Sequence, residues 1–215
     1  MPLICLVRHG QASAGAQDYD VLSELGRAQA AAVGRELARR GLRDPHLVSG
    51  TLARQRDTAR LLAEAAGFTR QVHHDSRWNE YDHDALLEHY AGSSQGASSV
   101  QELIDHALTA WMVDGTVAGG GSWADFEQVV EDALAELTDA LGRGRDAVVV
   151  TSAGPISALC GDLLALPPVG VAALHRVTVN ASVSTLVIGA SGTGLLTFNE
   201  HAHFTGERSH LRSYR

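Results

Sequence analysis

Three short polar segments directly follow apolar runs in this sequence, and each carries side chains that could do chemistry. Residues 8–10, Arg-His-Gly, follow the run 3–7; residues 49–54 lead from Ser to Arg; and residues 151–154, Thr-Ser-Ala-Gly, follow the run 147–150. Such apolar runs predict buried strands, and ligands of an open α/β sheet collect at the carboxyl ends of its strands. We therefore expect a site where the three segments meet, provided that the sheet order brings their strands together.

Arg8, His9 and Gly10 suit the chemistry of a phosphoryl group. Neutral imidazole is a good nucleophile near neutral pH, and the planar guanidinium of arginine matches two phosphoryl oxygens. Glycine lets the chain turn sharply and lets main-chain N–H groups approach an anion. The competing interpretation is a structural histidine that a carbonyl group caps at the end of its strand.

Arg54 falls in the first turn of a predicted helix, where the helix dipole also favours anions. Arg56 and Arg60 lie nearby, so spacing alone does not decide which arginine faces the site. For any one of them the competing interpretation is a solvated helix arginine.

The composition removes several classes of function. All 17 basic residues are arginine, which excludes the lysine of Walker A loops, of kinases and of Schiff-base enzymes. The net charge of −8 argues against nucleic acid as a partner. Cys5 and Cys160 are isolated in apolar surroundings, so the sequence predicts neither a disulfide framework nor a cysteine zinc site.

The sequence predicts a cytoplasmic protein with no membrane partner. The apolar start, 1–7, is too short for a signal peptide. The longest apolar region, 147–174, is interrupted by prolines and an aspartate, which a membrane span would not tolerate. The sequence is compatible with a homodimer and does not decide the oligomeric state.

Strands and helices alternate, which predicts an α/β sandwich of three layers with a mainly parallel central sheet between two helical layers. The expected strands are 3–7, 46–49, 69–73, 146–151, 177–179, 182–188 and 195–198, and the expected helices are 27–40, 51–66, 100–113, 122–141 and 154–164. Residues 1–215 are interpreted as one domain, in which 75–121 form a small helical cap hinged at 119–121. The arginine-rich end, 208–215, is expected to be solvated.

Four segments, in this order, resemble the histidine phosphatase (phosphoglycerate mutase-like) superfamily. Residues 6–13, Leu-Val-Arg-His-Gly-Gln-Ala-Ser, look like its signature, and residues 22–30 resemble the helix start that follows it. Residues 49–59 resemble the segment with its second phosphate-binding arginine, which selects Arg54. Residues 78–81, Trp-Asn-Glu-Tyr, resemble the segment with its acidic residue, which selects the glutamate.

The resemblance implies a phosphatase that needs no metal or cofactor and acts on a small phosphorylated substrate. His9 would attack phosphorus and become phosphohistidine, while Arg8 and Arg54 hold the phosphoryl oxygens. Glu80 would protonate the leaving alkoxide and then activate the water that cleaves the intermediate. The implied substrate-binding residues are Arg8, Gln11, Ser13, Arg54, Ser152 and Ala153.

Aromatic residues surround the expected acid. Trp78 and Tyr81 flank Glu80, and burial beside them is expected to raise the pKa of its carboxyl and keep it protonated. With Trp111 and Trp123 they are candidates for the walls of the substrate pocket, although all four side chains suit a core equally well.

One position departs from the family pattern. Ser152 stands where the family carries a second histidine, and losing one donor to the transition state typically costs about 10²–10³ in rate. His201 or His203 could supply an imidazole from elsewhere in the chain. The alternative function is therefore a phosphate-binding homologue with little turnover.

Two other functions are less favoured. In phosphoglycerate mutases the first motif continues toward Trp-Asn and the acidic segment reads like Glu-Arg-His-Tyr-Gly, whereas here residues 11–13 are Gln-Ala-Ser and residues 81–83 are Tyr-Asp-His. A catalytic metal could in principle bind at residues 73–75, at His83 or at residues 201–203, but such histidine spacing is only weakly specific.

Overall fold

The computed structural model describes residues 1–13, 20–43, 45–90, 99–114, 121–142 and 144–214. Its strands are β1 (Leu3–Arg8), β2 (His46–Ser49), β3 (Val72–His74), β4 (Ala147–Thr151), β5 (Val183–Gly189) and β6 (Gly192–Glu200). Its α-helices are α1 (Glu24–Arg39), α2 (Ala53–Ala66), α3 (His83–Tyr90), α4 (Val100–Asp114), α5 (Trp123–Leu141), α6 (Ala153–Leu163) and α7 (Pro168–Val177). Short 3-10 helices lie at Ser76–Trp78, Ala202–Phe204 and Gly206–Leu211.

Local signals set the ends of the predicted helices. Ser23 precedes α1, and its hydroxyl accepts a hydrogen bond from Gly26 N at 3.0 Å, which satisfies one unpaired N–H of the first turn. Ser122 and Asp125 form a capping box at the start of α5. Gly67 ends α2 with a φ of 72°, a left-handed conformation that glycine adopts without strain.

The strands form one sheet in the order β3-β2-β4-β1-β5-β6. The pairs β1–β4, β2–β4 and β2–β3 are parallel, whereas β5 pairs antiparallel with both β1 and β6. The predicted α/β fold is therefore confirmed, and an antiparallel hairpin at one edge makes the sheet mixed.

Helices cover both faces of the sheet, because successive side chains of a strand point to opposite sides. Val7 of β1 packs in one apolar cluster with residues of α1 and α2. Its neighbour Leu6 packs in a second cluster with residues of α5 and α6. A third cluster joins α3, α4 and α7 to the start of α5. The central strands are thereby buried on both sides, and polar residues stand at their carboxyl ends.

Two helices of the structure, α3 and α7, were not predicted from the sequence. Residues 177–179 were expected as a strand, but α7 runs to Val177 because Pro167 and Pro168 open a helix there. Helix α3 was not predicted individually within the expected cap. The expected hinge, 119–121, lies mostly outside the described residues. Within the described ranges, no helix combines the length and apolar character needed to cross a membrane.

Asp146, which directly precedes β4, accepts hydrogen bonds from the start of β1 and from the loop before β2. It is 2% exposed, its Oδ1 accepts from Leu3 N at 2.8 Å, and its Oδ2 accepts from Arg43 N at 2.7 Å. Asp146→Ala is expected to lower the free energy of unfolding by about 2–4 kcal/mol, because buried donors lose their partner. Urea unfolding measures this loss. Arg39→Ala, which breaks a surface ion pair, is the control and should change stability by less than about 1 kcal/mol; equal effects of the two substitutions would contradict the assignment.

Candidate active site

The carboxyl ends of β1, β2 and β4 lie side by side, as the polar segments of the sequence predicted. Arg8 pairs in register with Thr151 across β1 and β4, and His9 N donates to Thr151 O at 2.8 Å. On the other side of β4, Gly50 N donates to Val150 O at 3.0 Å. The three polar segments therefore share one edge of the sheet.

The turn after β1 is held by contacts from several elements. Gly10 N donates to Thr58 Oγ1 at 3.0 Å, and Asn180 Nδ2 donates to His9 O at 3.3 Å. A Cβ on residue 10 would lie 2.4 Å from Gly26 O, so only glycine permits this close approach of α1. These contacts fix the main chain that carries the His9 imidazole.

The neighbours of the His9 ring define its tautomer. Nδ1 lies 2.7 Å from Gly10 O, and Arg54 Nε donates to Nε2 at 3.2 Å. Nδ1 therefore carries the proton and Nε2 the lone pair. Burial, with the charges of Arg8 and Arg54, lowers the pKa of His9 to about 3. The ring is thus neutral at neutral pH, with the nucleophilic nitrogen on the side of Arg54.

Arg54 is the arginine of α2 that faces His9. Its side chain is 11% exposed, and its NH1 pairs with Asp20 Oδ1 at 2.7 Å. The other oxygen of Asp20 accepts from Ala53 N at 2.6 Å, so this carboxylate caps α2 and orients the guanidinium. Arg56 and Arg60 are exposed, which removes the ambiguity that their spacing left.

Arg8 connects the end of β1 with the end of the chain. Its NH1 donates to Thr178 O and also to Tyr214 O, the latter at 3.1 Å. The arginine-rich end is therefore solvated only in part: the side chains of Arg208 and Arg212 are exposed, as expected, whereas the main-chain carbonyl of Tyr214 packs against the site. The charge of Arg8 also contributes to lowering the pKa of both His9 and His175.

Glu80 is buried beside the start of α6. Its side chain is 6% exposed, and its two oxygens accept from Gly154 N at 3.1 Å and Tyr81 N at 3.3 Å. Burial raises the pKa of this carboxyl, but the hydrogen bond and charge of His83, the charge of His175 and the Gly154 N–H outweigh burial and lower the pKa to about 2. The expectation of a raised pKa from the aromatic surroundings was therefore wrong.

His83 and His175 flank Glu80, and the role of His175 was not foreseen. One potential ligand atom from each of the three residues lies within 4.8 Å of the others, so this group could hold a metal ion. His175 Nε2 lies 3.3 Å from Tyr81 Oη. Burial lowers the pKa of His175 to about 4, so this ring is neutral at neutral pH. His175 reaches the site on α7, a helix that the sequence did not predict.

Ser152 is locked into an internal network. It is completely buried, and its hydroxyl accepts from Gln55 Nε2 at 2.9 Å. The same amide nitrogen donates to Trp78 O at 3.0 Å. Ala153 begins α6 and is 2% exposed. Gln55 thus links α2 both to Ser152 and to the segment that leads to Glu80.

Gln11 and Ser13 lie on the loop between His9 and α1. Ser23 Oγ donates to Gln11 Oε1 at 2.9 Å, and Ser13 N donates to Val21 O at 2.7 Å. Both residues are half-buried. Contact of their side chains with a substrate stays a prediction.

Three other histidines that the sequence offered as candidates contact groups of their own. His203 Nε2 lies 3.0 Å from Ala181 O, and His201 Nδ1 lies 2.6 Å from Asn199 O. His73 stacks on His46 with ring centroids 4.9 Å apart. One ring nitrogen of His201 and one of His203 therefore contact main-chain oxygens.

A family profile agrees with this geometry. The profile of the histidine phosphatase superfamily (branch 1) matches residues 4–201, a range that contains His9, Arg54 and Glu80. The chain belongs to the histidine phosphatase superfamily. It is an enzyme of the phosphatase class, as the four segments predicted.

Named relatives support the same family. Glucosyl-3-phosphoglycerate phosphatase of Mycobacterium tuberculosis is 35% identical over 187 residues, which cover 76% of each chain. A probable phosphoglycerate mutase of Salmonella paratyphi C is 29% identical over 170 residues, covering 76% of this chain and 75% of its own. The solved structure of a mycobacterial glucosyl-3-phosphoglycerate phosphatase with VO3 matches at a TM-score of 0.71 and 27% identity, over 94% of this chain and 100% of that one.

In this histidine phosphatase, Gly154 leaves room for the acidic residue. A Cβ on residue 154 would lie 1.9 Å from Glu80 Oε1 and 2.9 Å from Tyr81 Cδ1. Gly154→Ala is therefore expected to displace the carboxylate and, if Glu80 is the general acid that the resemblance implies, to lower kcat by about 10²-fold. Steady-state hydrolysis of phenyl phosphate, whose leaving oxygen needs a proton, measures the loss. Gly144→Ala, whose Cβ meets nothing within 4 Å, is the control; unchanged kcat in Gly154→Ala would contradict the placement of Glu80.

Proposed function

We propose that this chain is a metal-independent phosphomonoester hydrolase that acts through a phosphohistidine at His9. The observation that carries the proposal is the orientation of His9, whose Nδ1 is anchored on Gly10 O while Nε2 faces Arg54. A purely structural histidine would not need an arginine at its free nitrogen. The neutral ring, with its pKa lowered to about 3, is a nucleophile without prior loss of a proton.

Phosphoryl transfer to His9 begins when a substrate phosphate displaces the Arg54 Nε–H from Nε2. The guanidinium then turns to the phosphoryl oxygens, and its charge and that of Arg8 take the place that a metal ion has in other phosphatases. Nε2 attacks phosphorus as the bond to the leaving oxygen breaks. Water then attacks the phosphohistidine, and the phosphorus–nitrogen bond breaks to restore His9.

Glu80 is the proposed proton donor to the leaving oxygen and the base that activates water. An alkoxide is a poor leaving group, so a proton must reach it as the bond breaks. The carboxyl is ionised at neutral pH in the structure, with its pKa lowered to about 2. A bound phosphate brings negative charge close to Glu80, and a like charge raises the pKa of a carboxyl toward the range of a proton donor.

The proposed substrate is a small phosphorylated metabolite. Two relatives are named glucosyl-3-phosphoglycerate phosphatases, which supports a phosphate ester of a small organic acid or sugar. Tyr81 and Trp111 line a cavity of about 240 Å³ between α3, α4 and α5, next to Glu80 in the chain. Trp78 and Trp123 are not among the residues that line this cavity. Both are buried in apolar clusters, and the cluster of Trp123 also contains Tyr81 and Trp111. We propose that the cavity accepts the part of the substrate that is not transferred.

Hydrolysis of para-nitrophenyl phosphate in excess chelator tests the proposal. The expected result is turnover that EDTA leaves unchanged, because arginine side chains supply the positive charge. The purified protein is dialysed against EDTA, assayed, and assayed again after divalent cations are restored. Activity that disappears with EDTA and returns with a cation would overturn the proposal. It would instead favour a metal site formed by Glu80, His83 and His175.

A further inference from the structure

We propose that His83 is the proton-transfer partner of Glu80, supplying the proton for the leaving oxygen and taking it back when water attacks. This inference rests on the proposed function. The site lacks the imidazole that the family carries at position 152, and the hydroxyl of Ser152 is occupied by Gln55. The imidazoles that the structure places beside the acid come instead from α3 and α7.

The position of His83 fits a route between Glu80 and solvent. His83 is the first residue of α3, and its Nε2 lies 3.8 Å from Glu80 Oε2. The side chain of His83 is 35% exposed, whereas that of Glu80 is 6% exposed. The histidine can therefore exchange protons with water, and a small closure of the gap would let it exchange a proton with the shielded carboxylate.

The other groups around Glu80 are less suited to this task. Four other titratable or charged side chains interact electrostatically with Glu80 or with its neighbours. They are His175 on α7, His9 and Arg8 at the end of β1, and Tyr81, which follows Glu80 in the chain. His175 is neutral at neutral pH, since burial lowers its pKa to about 4, and its Nε2 already faces Tyr81 Oη. His9 is the nucleophile, and arginine does not give up its proton.

The proton balance closes over one turnover. His83 gives its proton to the Glu80 carboxylate, and Glu80 passes it to the leaving oxygen as the phosphorus–oxygen bond breaks. In the second half, water attacks phosphorus, Glu80 takes a proton from that water, and the phosphorus–nitrogen bond breaks with its electron pair returning to His9. Glu80 then returns the proton to His83, and the site is restored.

His83→Gln tests the inference with two substrates that differ in their leaving group. Phenyl phosphate needs a proton on its leaving oxygen, whereas para-nitrophenyl phosphate releases a much more stable anion. The ratio kcat/KM reports the first half-reaction, in which the leaving group departs, and not the attack of water that both substrates share. We expect kcat/KM for phenyl phosphate to fall by about 10²-fold and kcat/KM for the nitro compound to fall by less than about 3-fold. His89→Gln, an exposed histidine of the same helix, is the matched control and should leave both rates unchanged.

The two remaining outcomes overturn the inference. Equal losses for both substrates would mean that His83 acts only on the shape of the site, and no loss for either would mean that it takes no part. The thermal shift of the variant with vanadate shows that the site is intact, and His83→Ala repeats the test if His83→Gln does not fold. Failure of the proposed function is distinguishable, because it requires that His9→Ala retain activity.

Discussion

Replacing His9 with alanine is expected to lower kcat by at least about 10⁴-fold, the scale on which the loss of a nucleophile acts. The phosphoryl group then has no atom to bind during the first displacement, and the arginines alone provide no covalent route. The effect should fall on kcat for every substrate, whatever its leaving group. Stopped assays with para-nitrophenyl phosphate and with phosphate esters of small organic acids measure it.

Binding separates this loss from unfolding of the His9→Ala variant. Arg8 and Arg54 remain, so phosphate should still raise the melting temperature of the variant. His106→Ala, which replaces an exposed histidine of α4, should keep full activity. If His9→Ala retained a tenth or more of the activity, His9 would not be the nucleophile.

Replacing Arg54 with alanine is expected to lower kcat/KM by about 10³-fold, because a guanidinium that stabilises a phosphoryl transition state is worth this much or more. Arg54 contacts both the nucleophile and Asp20, so its removal takes away charge and order together. Arg54→Lys should recover only part of the loss, since an ammonium group lacks the planar fork.

Arg56→Ala is the matched control for Arg54. It removes an equal charge two residues away on the same helix, but its side chain is exposed. Rates should change little in that variant, because exposed charges are screened by solvent and salt. Similar losses in the two variants would mean that net positive charge, and not contact with the phosphoryl group, explains the effect.

The strand ends of the site could be predicted because buried parallel strands are nearly continuous apolar runs. The polar residues that end β1 and β4 mark where each strand stops, and Arg8 indeed pairs with Thr151. The choice of Arg54 over Arg56 depended on the resemblance, since helical spacing places several arginines near one turn. The structure adds the reason, which is the carboxylate of Asp20 at the start of α2.

The groups that the sequence did not reveal reach the site from distant parts of the chain. His175 lies on α7, a helix that was not predicted and whose last residue, Val177, was expected to begin a strand. The carbonyl of Tyr214 meets Arg8 across the whole length of the chain. Neither contact has a local signal, because both depend on how the layers pack.

The expected charge state of Glu80 was also wrong, for a physical reason. Aromatic neighbours in the sequence indicated desolvation, which raises the pKa of a carboxyl. The structure adds two imidazoles and the N–H of Gly154, all of which favour the ionised form. Desolvation can be anticipated from composition, whereas the partners of a buried charge depend on the fold.

Trapping the phosphoenzyme tests the central claim most directly. Glu80→Gln should slow attack by water more than the first step with para-nitrophenyl phosphate, so the intermediate should accumulate in that variant. Quenching under alkaline conditions, where phosphohistidine is stable, and sequencing the peptides by mass spectrometry locates the phosphoryl group. We predict that it lies on His9 and disappears when the substrate is exhausted. A phosphoryl group on any other residue, or multiple turnovers without any phosphorylated chain, would contradict the mechanism.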